Sequence, residues 1–289
     1  MLNPLFCADT KPGARAPDPE WQTAQPGIAL VSAEVAVPAN YQRDKLQCCG
    51  IDAMVFGNAV DPSFFIGVGI QAGIRSGISA EGNVNMLQRL VQHRPVALGE
   101  TLVVRGQVQA VEAVPRGHTV TTSVLFEDSS GAVVIDASRT SLRPDPAKRS
   151  VRGAGQRPDP VVADPQEAEL VAAHQLTPRQ VQDYSMEGNS IHYDEAAAQA
   201  AGFRAPMIGG GMGVHFLAAT LWAEGAPRHL DLDIYFRRPI FWDETFTSAV
   251  LGKRASPDSW RALCLLRDTA EHGLKVLTEA RINALTKDR

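Results

Sequence analysis

The stretch GGGMGVHFLAATLW, residues 209–222, decides how this chain is to be read. Its glycines are followed by apolar residues on every helical face, the pattern of a helix surrounded by protein. A similar stretch, FFIGVGIQAGI, occupies residues 64–74. Each is followed by segments that alternate apolar and polar residues, the signature of half-buried antiparallel strands. After residues 64–74 these are 101–111, 118–127 and 132–142; after residues 209–222 they are 230–236, 246–252, 260–266 and 274–285.

Other landmarks recur in the same order. His93-Arg94-Pro95-Val96 and Glu100-Thr101-Leu102 return as Arg237-Arg238-Pro239-Ile240 and Glu244-Thr245-Phe246, an offset of 144 (93 to 237, 100 to 244). Gly69, Gly131 and Arg139 return as Gly211, Gly273 and Arg281 at 142 (69 to 211, 131 to 273, 139 to 281). A nearly constant offset points to internal repetition. A buried helix followed by antiparallel strands, twice over, predicts an α+β protein made of two hotdog folds in tandem, each an antiparallel sheet wrapped around a central helix.

Composition sets the boundaries. Residues 1–28 are rich in Pro, Gly and Ala and read as a loosely ordered arm. Residues 29–143 form the first hotdog, 144–166 a Pro-rich linker, and 167–289 the second hotdog. The chain has 289 residues, a formal net charge of −4 and 44% hydrophobic residues, values of a soluble globular protein without the basic excess that nucleic acid demands. No apolar run reaches the roughly 20 residues that span a bilayer. The N-terminus lacks the features of a secretory signal, so a cytoplasmic location is expected. The cysteines show neither metal-ligand nor disulfide spacing.

Chemistry concentrates in YSMEGNSIHYD, residues 184–194. Glu187 and His192 place an acid and a base on one short turn, with Asn189 between them. Thr177, Pro178 and Gln180 predict a capped helix before the turn, and Asp194 caps a second helix that stops at Gly202. Gly209, Gly210 and Gly211 then lead into the buried helix, whose free N–H groups can receive a carbonyl oxygen or a phosphate. On residue types alone, the glycines are equally consistent with close packing of helix on sheet. His215, one turn beyond Gly211, reads more readily as a hydrogen-bonded core residue than as a site residue. Arg237, Arg238, Lys253 and Arg254 suit either CoA phosphates or a solvated basic edge.

SMEGNSIHYD resembles the motif Ser-Gly-Asp-x-Asn-Pro-x-His-x-Asp of the MaoC-like, R-specific enoyl-CoA hydratases and 3-hydroxyacyl dehydratases. Ser185, Asn189, His192 and Asp194 match it, and the later Phe-Arg-Ala-Pro and Gly-Gly-Met resemble the family's approach to its central helix. Met186, Ser190 and Glu187 depart from it, Glu187 standing where the family has Asp. The resemblance implies reversible hydration of a 2-enoyl thioester to an R-3-hydroxyacyl thioester, a reaction of fatty acid metabolism. By it Glu187 and His192 are the acid–base pair, Asn189 orients them, and the Gly211 N–H holds the thioester oxygen. Gly209, Gly210, Met212, Phe64 and Phe65 would bind substrate, the last two from a first half that lacks its own pair. No metal or redox cofactor is implied. The partner is a small acyl-CoA, with an acyl carrier protein as the other carrier, and the chain is a monomeric pseudo-dimer or a homodimer. The alternatives are an acyl-CoA thioesterase and a non-catalytic acyl-thioester binder.

Overall fold

A computed structural model describes residues 5–6, 20–148, 158–186, 188–271 and 273–287. Its first half begins with strand β1 (Ala33–Val35) and helix α1 (Ala39–Cys48), followed by the central helix α2 (Phe64–Arg75). Strands β2 (Val84–Gln92), β3 (Leu102–Val114), β4 (Gly117–Glu127), β5 (Val133–Asp136) and β6 (Arg139–Pro144) complete it. The second half holds β7 (Glu169–Gln175), α3 (Pro178–Ser185), α4 (Glu195–Ala200) and the central helix α5 (Gly210–Ala223). It ends with β8 (Pro227–Phe236), β9 (Thr245–Leu251), β10 (Ala262–Thr269) and β11 (Gly273–Lys287).

The duplication is visible in the element starts. β2 and β8 begin 143 residues apart (84 to 227), as do β3 and β9 (102 to 245). The two copies differ at their last strand. β11 runs unbroken between β8 and β10, whereas its counterpart is divided into β5 and β6. The break falls where Asp136 Oδ1 accepts from both the backbone N–H and the hydroxyl of Ser138, at 3.0 and 2.6 Å. A short polar side chain thereby offers the backbone an alternative to the ladder.

The eleven strands among the described residues form one sheet. Its order is β1-β3-β4-β5-β2-β8-β11-β10-β9-β7, with β6 pairing β2 and β4. The halves meet at β2 and β8, which run antiparallel from Leu87 opposite Tyr235 to Gln92 opposite Leu230. Leu90 and Leu232 face one another there and are buried, and Arg89 and Asp231 close the seam with a 3.0 Å ion pair. Each half thus covers an edge that the other would leave open. The α2 and α5 helices sit inside the wrapped sheet; Val68 and Ala72 on one and Val214, Leu217 and Leu221 on the other are fully buried. This is the tandem hotdog anticipated from the repeat.

Of the N-terminal arm, residues 5–6 and 20–28 are described, and several of these are anchored. Leu5 and Phe6 are 3% and 0% exposed, Phe6 bridges to Val35 in the sheet, and the Arg75 guanidinium lies 4.6 Å from its ring centroid. Farther along, the Gln22 N–H donates to the Gly77 carbonyl at 2.8 Å. Composition records average polarity and misses a single aromatic anchor. In the linker, Val161 and Val162 donate their N–H groups to the buried Glu279 carboxylate, which also receives Arg237. Residues 149–157 lie outside the described set. No helix among the described residues is long and apolar enough to cross a membrane.

An anchored arm has a measurable consequence. Phe6→Ala should lower unfolding stability by about 3 kcal/mol, the usual cost of emptying a buried aromatic site. Urea denaturation checks it; a loss below about 0.5 kcal/mol, as at ordinary surface positions, would return the arm to the loose state its composition suggests.

Candidate active site

The turn after α3 is built as its residues anticipate. Thr177 Oγ1 accepts from the Gln180 N–H while Gln180 Oε1 accepts from the Thr177 N–H, a complete capping box. Asp194 Oδ1 accepts from the Ala197 N–H at 2.9 Å and starts α4. Gly202, at φ 88°, ends that helical segment in the left-handed region. Between the two helices, Ser190–His192 make one 3-10 turn.

His192 is half-buried, and its ring orientation is fixed. Nδ1 lies 2.8 Å from the Met207 carbonyl oxygen. Because a carbonyl can only accept, Nδ1 carries the proton, and in the neutral ring Nε2 is left with its lone pair. Burial pushes the imidazole pKa below its ordinary value of 6.5, partly opposed by the Met207 bond and the Glu81 carboxylate. Nε2 lies 3.4 Å from the place a Cβ on Gly209 would take, so the base stands at the start of α5. The first N–H groups of α5, at Gly210, Gly211 and Met212, have no acceptor within the helix.

A cavity of about 170 Å³ joins these groups. His192, Asn189, Gly209, Gly210, Gly211 and Met212 border it from the second half. Phe64, Tyr41 and Lys45 border it from the first, so the cavity belongs to both. Phe65 does not border it; its ring packs on Phe126 with centroids 4.8 Å apart, and both are buried in the core. A helix places successive residues about 100° apart, so adjacent Phe64 and Phe65 cannot share one face. Glu187 lies outside the described residues.

Asn189 has a different occupation from the one anticipated. Its Oδ1 accepts from the Ile191 N–H at 3.3 Å, and its Nδ2 donates to the Ala80 carbonyl at 3.2 Å. Ser190, where the resembled motif has Pro, donates its hydroxyl to Glu81 at 2.5 Å. Both bonds tie the turn to the first half's segment before β2. Among the described residues Asn189 thus positions the turn, while it also borders the cavity.

Of the three glycines, only Gly210 is forced by contact. A Cβ there would stand 2.8 Å from both Asn85 Nδ2 and Phe236 Cζ, while one on Gly211 would meet nothing closer than 4.0 Å. The close-packing and oxyanion readings thus divide between neighbours, Gly210 serving the first and Gly211 free to serve the second.

His215 is core, as its place on a buried helix suggested, but with partners the sequence did not reveal. Nδ1 lies 2.7 Å from Asp61 Oδ2, both side chains are 0% exposed, and the Tyr184 hydroxyl lies 2.7 Å from Nε2. The imidazole donates to the carboxylate and accepts from the phenol. Asp61 also accepts from the Ser63 N–H and hydroxyl at 2.9 and 2.6 Å. This chain crosses from the start of α2 to α5 and α3 and fixes the wall behind the cavity. Lys45, from α1, donates to the Tyr184 carbonyl at 2.7 Å. Nothing in sequence spacing could pair residues 154 apart.

The basic candidates for CoA phosphates are largely engaged. Arg237 binds Glu279 and the Pro158 and Asp159 carbonyls, Arg238 the Val276 carbonyl, and Arg254 the Leu170 carbonyl. Burial raises the thiol pKa of both Cys48 and Cys49, consistent with inert thiols.

Two sheet-wrapped helices joined edge to edge, with a cavity between them, make this a double hotdog protein of the architecture on which MaoC-like dehydratases are built. Solved structures of that shape include HtdX from Mycobacterium tuberculosis, 18% identical with a TM-score of 0.69, covering 88% of this chain and 98% of the other. A MaoC-like dehydratase from Phytophthora capsici is 17% identical with a TM-score of 0.67, covering 91% and 97%. A further M. tuberculosis protein, essential for bacterial survival during infection and described as a double hotdog, is 15% identical with a TM-score of 0.57, covering 89% and 95%. No protein-family model and no curated protein sequence matches the chain. At these identities the likeness is one of fold.

Gly210→Ala should open the start of α5 or displace Asn85, lowering stability by about 1–3 kcal/mol as overpacked sites do. Gly211→Ala should leave stability within about 0.5 kcal/mol. Thermal unfolding of the two variants distinguishes them, and equal losses would contradict the division of roles between these glycines.

Proposed function

We propose that the chain is a hydro-lyase that adds water reversibly to a 2-enoyl thioester, giving a 3-hydroxyacyl thioester. The observation that carries this reading is the His192 imidazole, with its Nδ1 proton committed to Met207, beside the free N–H groups of α5 in one cavity. Hydration requires a base for the water, a donor for the enolate oxygen, and a proton delivered to the α-carbon.

His192 Nε2 takes a proton from the water as its oxygen bonds to C3. Electrons of the C2–C3 double bond move toward the thioester carbonyl, whose oxygen gains enolate character and is held by the Gly211 N–H. The α-carbon then receives a proton, and Glu187, the carboxylate of the resembled motif, shares with His192 the handling of water and proton. Dehydration runs the same steps backward. CoA or an acyl carrier protein serves as the thioester carrier, and the chemistry draws on no further cofactor.

Loss of the conjugated enoyl absorbance on crotonyl-CoA or a longer 2-enoyl-CoA tests the reading. His192→Ala and Glu187→Gln should each lower the rate about 10² to 10⁴-fold, with the double variant little worse than either. Glu187→Asp should retain activity. Release of free thiol without loss of the enoyl band would make the protein a thioesterase, and binding without either change an acyl-thioester binder.

The pH profile follows from burial. Because the His192 pKa lies below 6.5, the imidazole stays neutral, and basic, to lower pH than a solvated histidine. The acidic limb of kcat/KM should therefore fall below pH 6.5 in wild type. A limb above 6.5 would mean that another group is titrating.

A further inference from the structure

Arg139 opens β6, paired to Gln88 of β2 and Thr122 of β4, in the interior of the first half's sheet. Its side chain borders the cavity that holds His192 and also a small, largely enclosed second cavity under α2. Ile70, Asn83 and Arg139 form the wall between the two. Among the described residues its guanidinium has no carboxylate, carbonyl or ring partner, unlike Arg75, Arg89, Arg94, Arg237 and Arg267. The side chain is half-buried, and among the described residues nothing offsets the desolvation that pushes its pKa down to about 10.

The surroundings repeat the pattern. Ser141, two residues along the same strand and bordering the smaller cavity, has a buried hydroxyl without a hydrogen-bond partner among the described residues. Asn85 borders the main cavity opposite Ser141 in the ladder, with its Nδ2 at the start of α5. Asn83 spends its amide N–H on the Ser79 carbonyl at 3.1 Å and leaves Oδ1 buried without a donor. A half-buried guanidinium that borders a cavity, with no counter-ion among the described residues, offers that cavity a place for an anion.

Resting on the thioester reading of this site, we propose that its substrate is a short acyl thioester whose far end carries a carboxylate, received by Arg139 with Asn85 and Ser141 as further donors. A nucleotide phosphate of CoA would supply the same charge. The acyl end is favoured because Arg139 stands at the wall of the enclosed inner cavity. The main cavity, about 170 Å³, is also smaller than the roughly 300–1,000 Å³ of pockets for drug-sized ligands. An arginine fork also matches the planar geometry of a carboxylate.

Saturated thioesters read binding without needing turnover. Calorimetry on the full chain would compare glutaryl-CoA with 5-methylhexanoyl-CoA, its neutral isostere, and repeat the pair as pantetheine thioesters, which lack the nucleotide phosphates. Glutaryl-CoA should bind about 10- to 100-fold more tightly than the isostere, the range of one charge-assisted bond, and the preference should persist with pantetheine. Arg139→Gln should remove the preference while leaving the isostere's affinity within about threefold, and Arg139→Lys should restore part of it. Equal affinity for the two acyl groups in wild type overturns the proposal without any variant. So does an Arg139 effect that weakens both CoA esters alike and vanishes with pantetheine, which would assign the arginine to the nucleotide. If enoyl thioesters are not hydrated yet the preference holds, hydro-lyase chemistry fails and the anion site stands; hydration without preference has the reverse meaning.

Discussion

Everything at the site depends on one ladder, the antiparallel pairing of β2 with β8. Across it the N-terminal ends of the two central helices meet: a Cβ on Gly211 would lie 4.0 Å from the Ser63 carbonyl oxygen and from Ile66. A cavity then forms where neither half could enclose one alone, with His192 and the α5 N–H groups on one side and Phe64, Lys45 and Tyr184 around the rest. The buried Asp61–His215–Tyr184 chain spans the same junction. Its bonds are satisfied only when both halves are in register, so the polar core and the seam reinforce each other.

The division of labour between halves is chemical. The second half holds the capped turn and the glycine run, the groups to which the proposed hydration assigns proton handling and carbonyl binding. The first contributes a steadying hand: Ala80 and Glu81 hold Asn189 and Ser190 in place. It also provides a cation at Lys45, close to where a second acid would stand by the repeat. The first half thus supports the turn of the second and lines the cavity with side chains of its own.

Much of this was legible in the chain. Helix caps at Thr177 and Asp194, the two apolar helices and most strand runs follow from local pattern, because local hydrogen bonds and periodic burial decide them. β2 did not stand out: Leu90, Val91 and Gln92 are buried in succession and break the alternation. Its strand character comes from neighbours on either side, which no local window contains. Asp61, Lys45 and Arg139 were missed for the same reason, their meaning arising only when distant segments meet. Phe65 was assigned to the pocket by proximity in sequence, where helical rotation separates it from Phe64. Asn189 was given a role from its place in the motif, and its bonds to the Ala80 carbonyl and the Ile191 N–H lay beyond what the motif shows.

The seam between β2 and β8 joins two parts of one chain, and that changes how it responds to dilution. Two separate hotdog subunits would gain or lose their shared edge with concentration, and a site built across the edge would come and go with it. Here the second half meets the first at an effective concentration set by the connecting segment. The cavity therefore persists at any dilution at which the chain itself stays folded. The cavity is also asymmetric, so its two walls can be altered independently without the same change appearing twice.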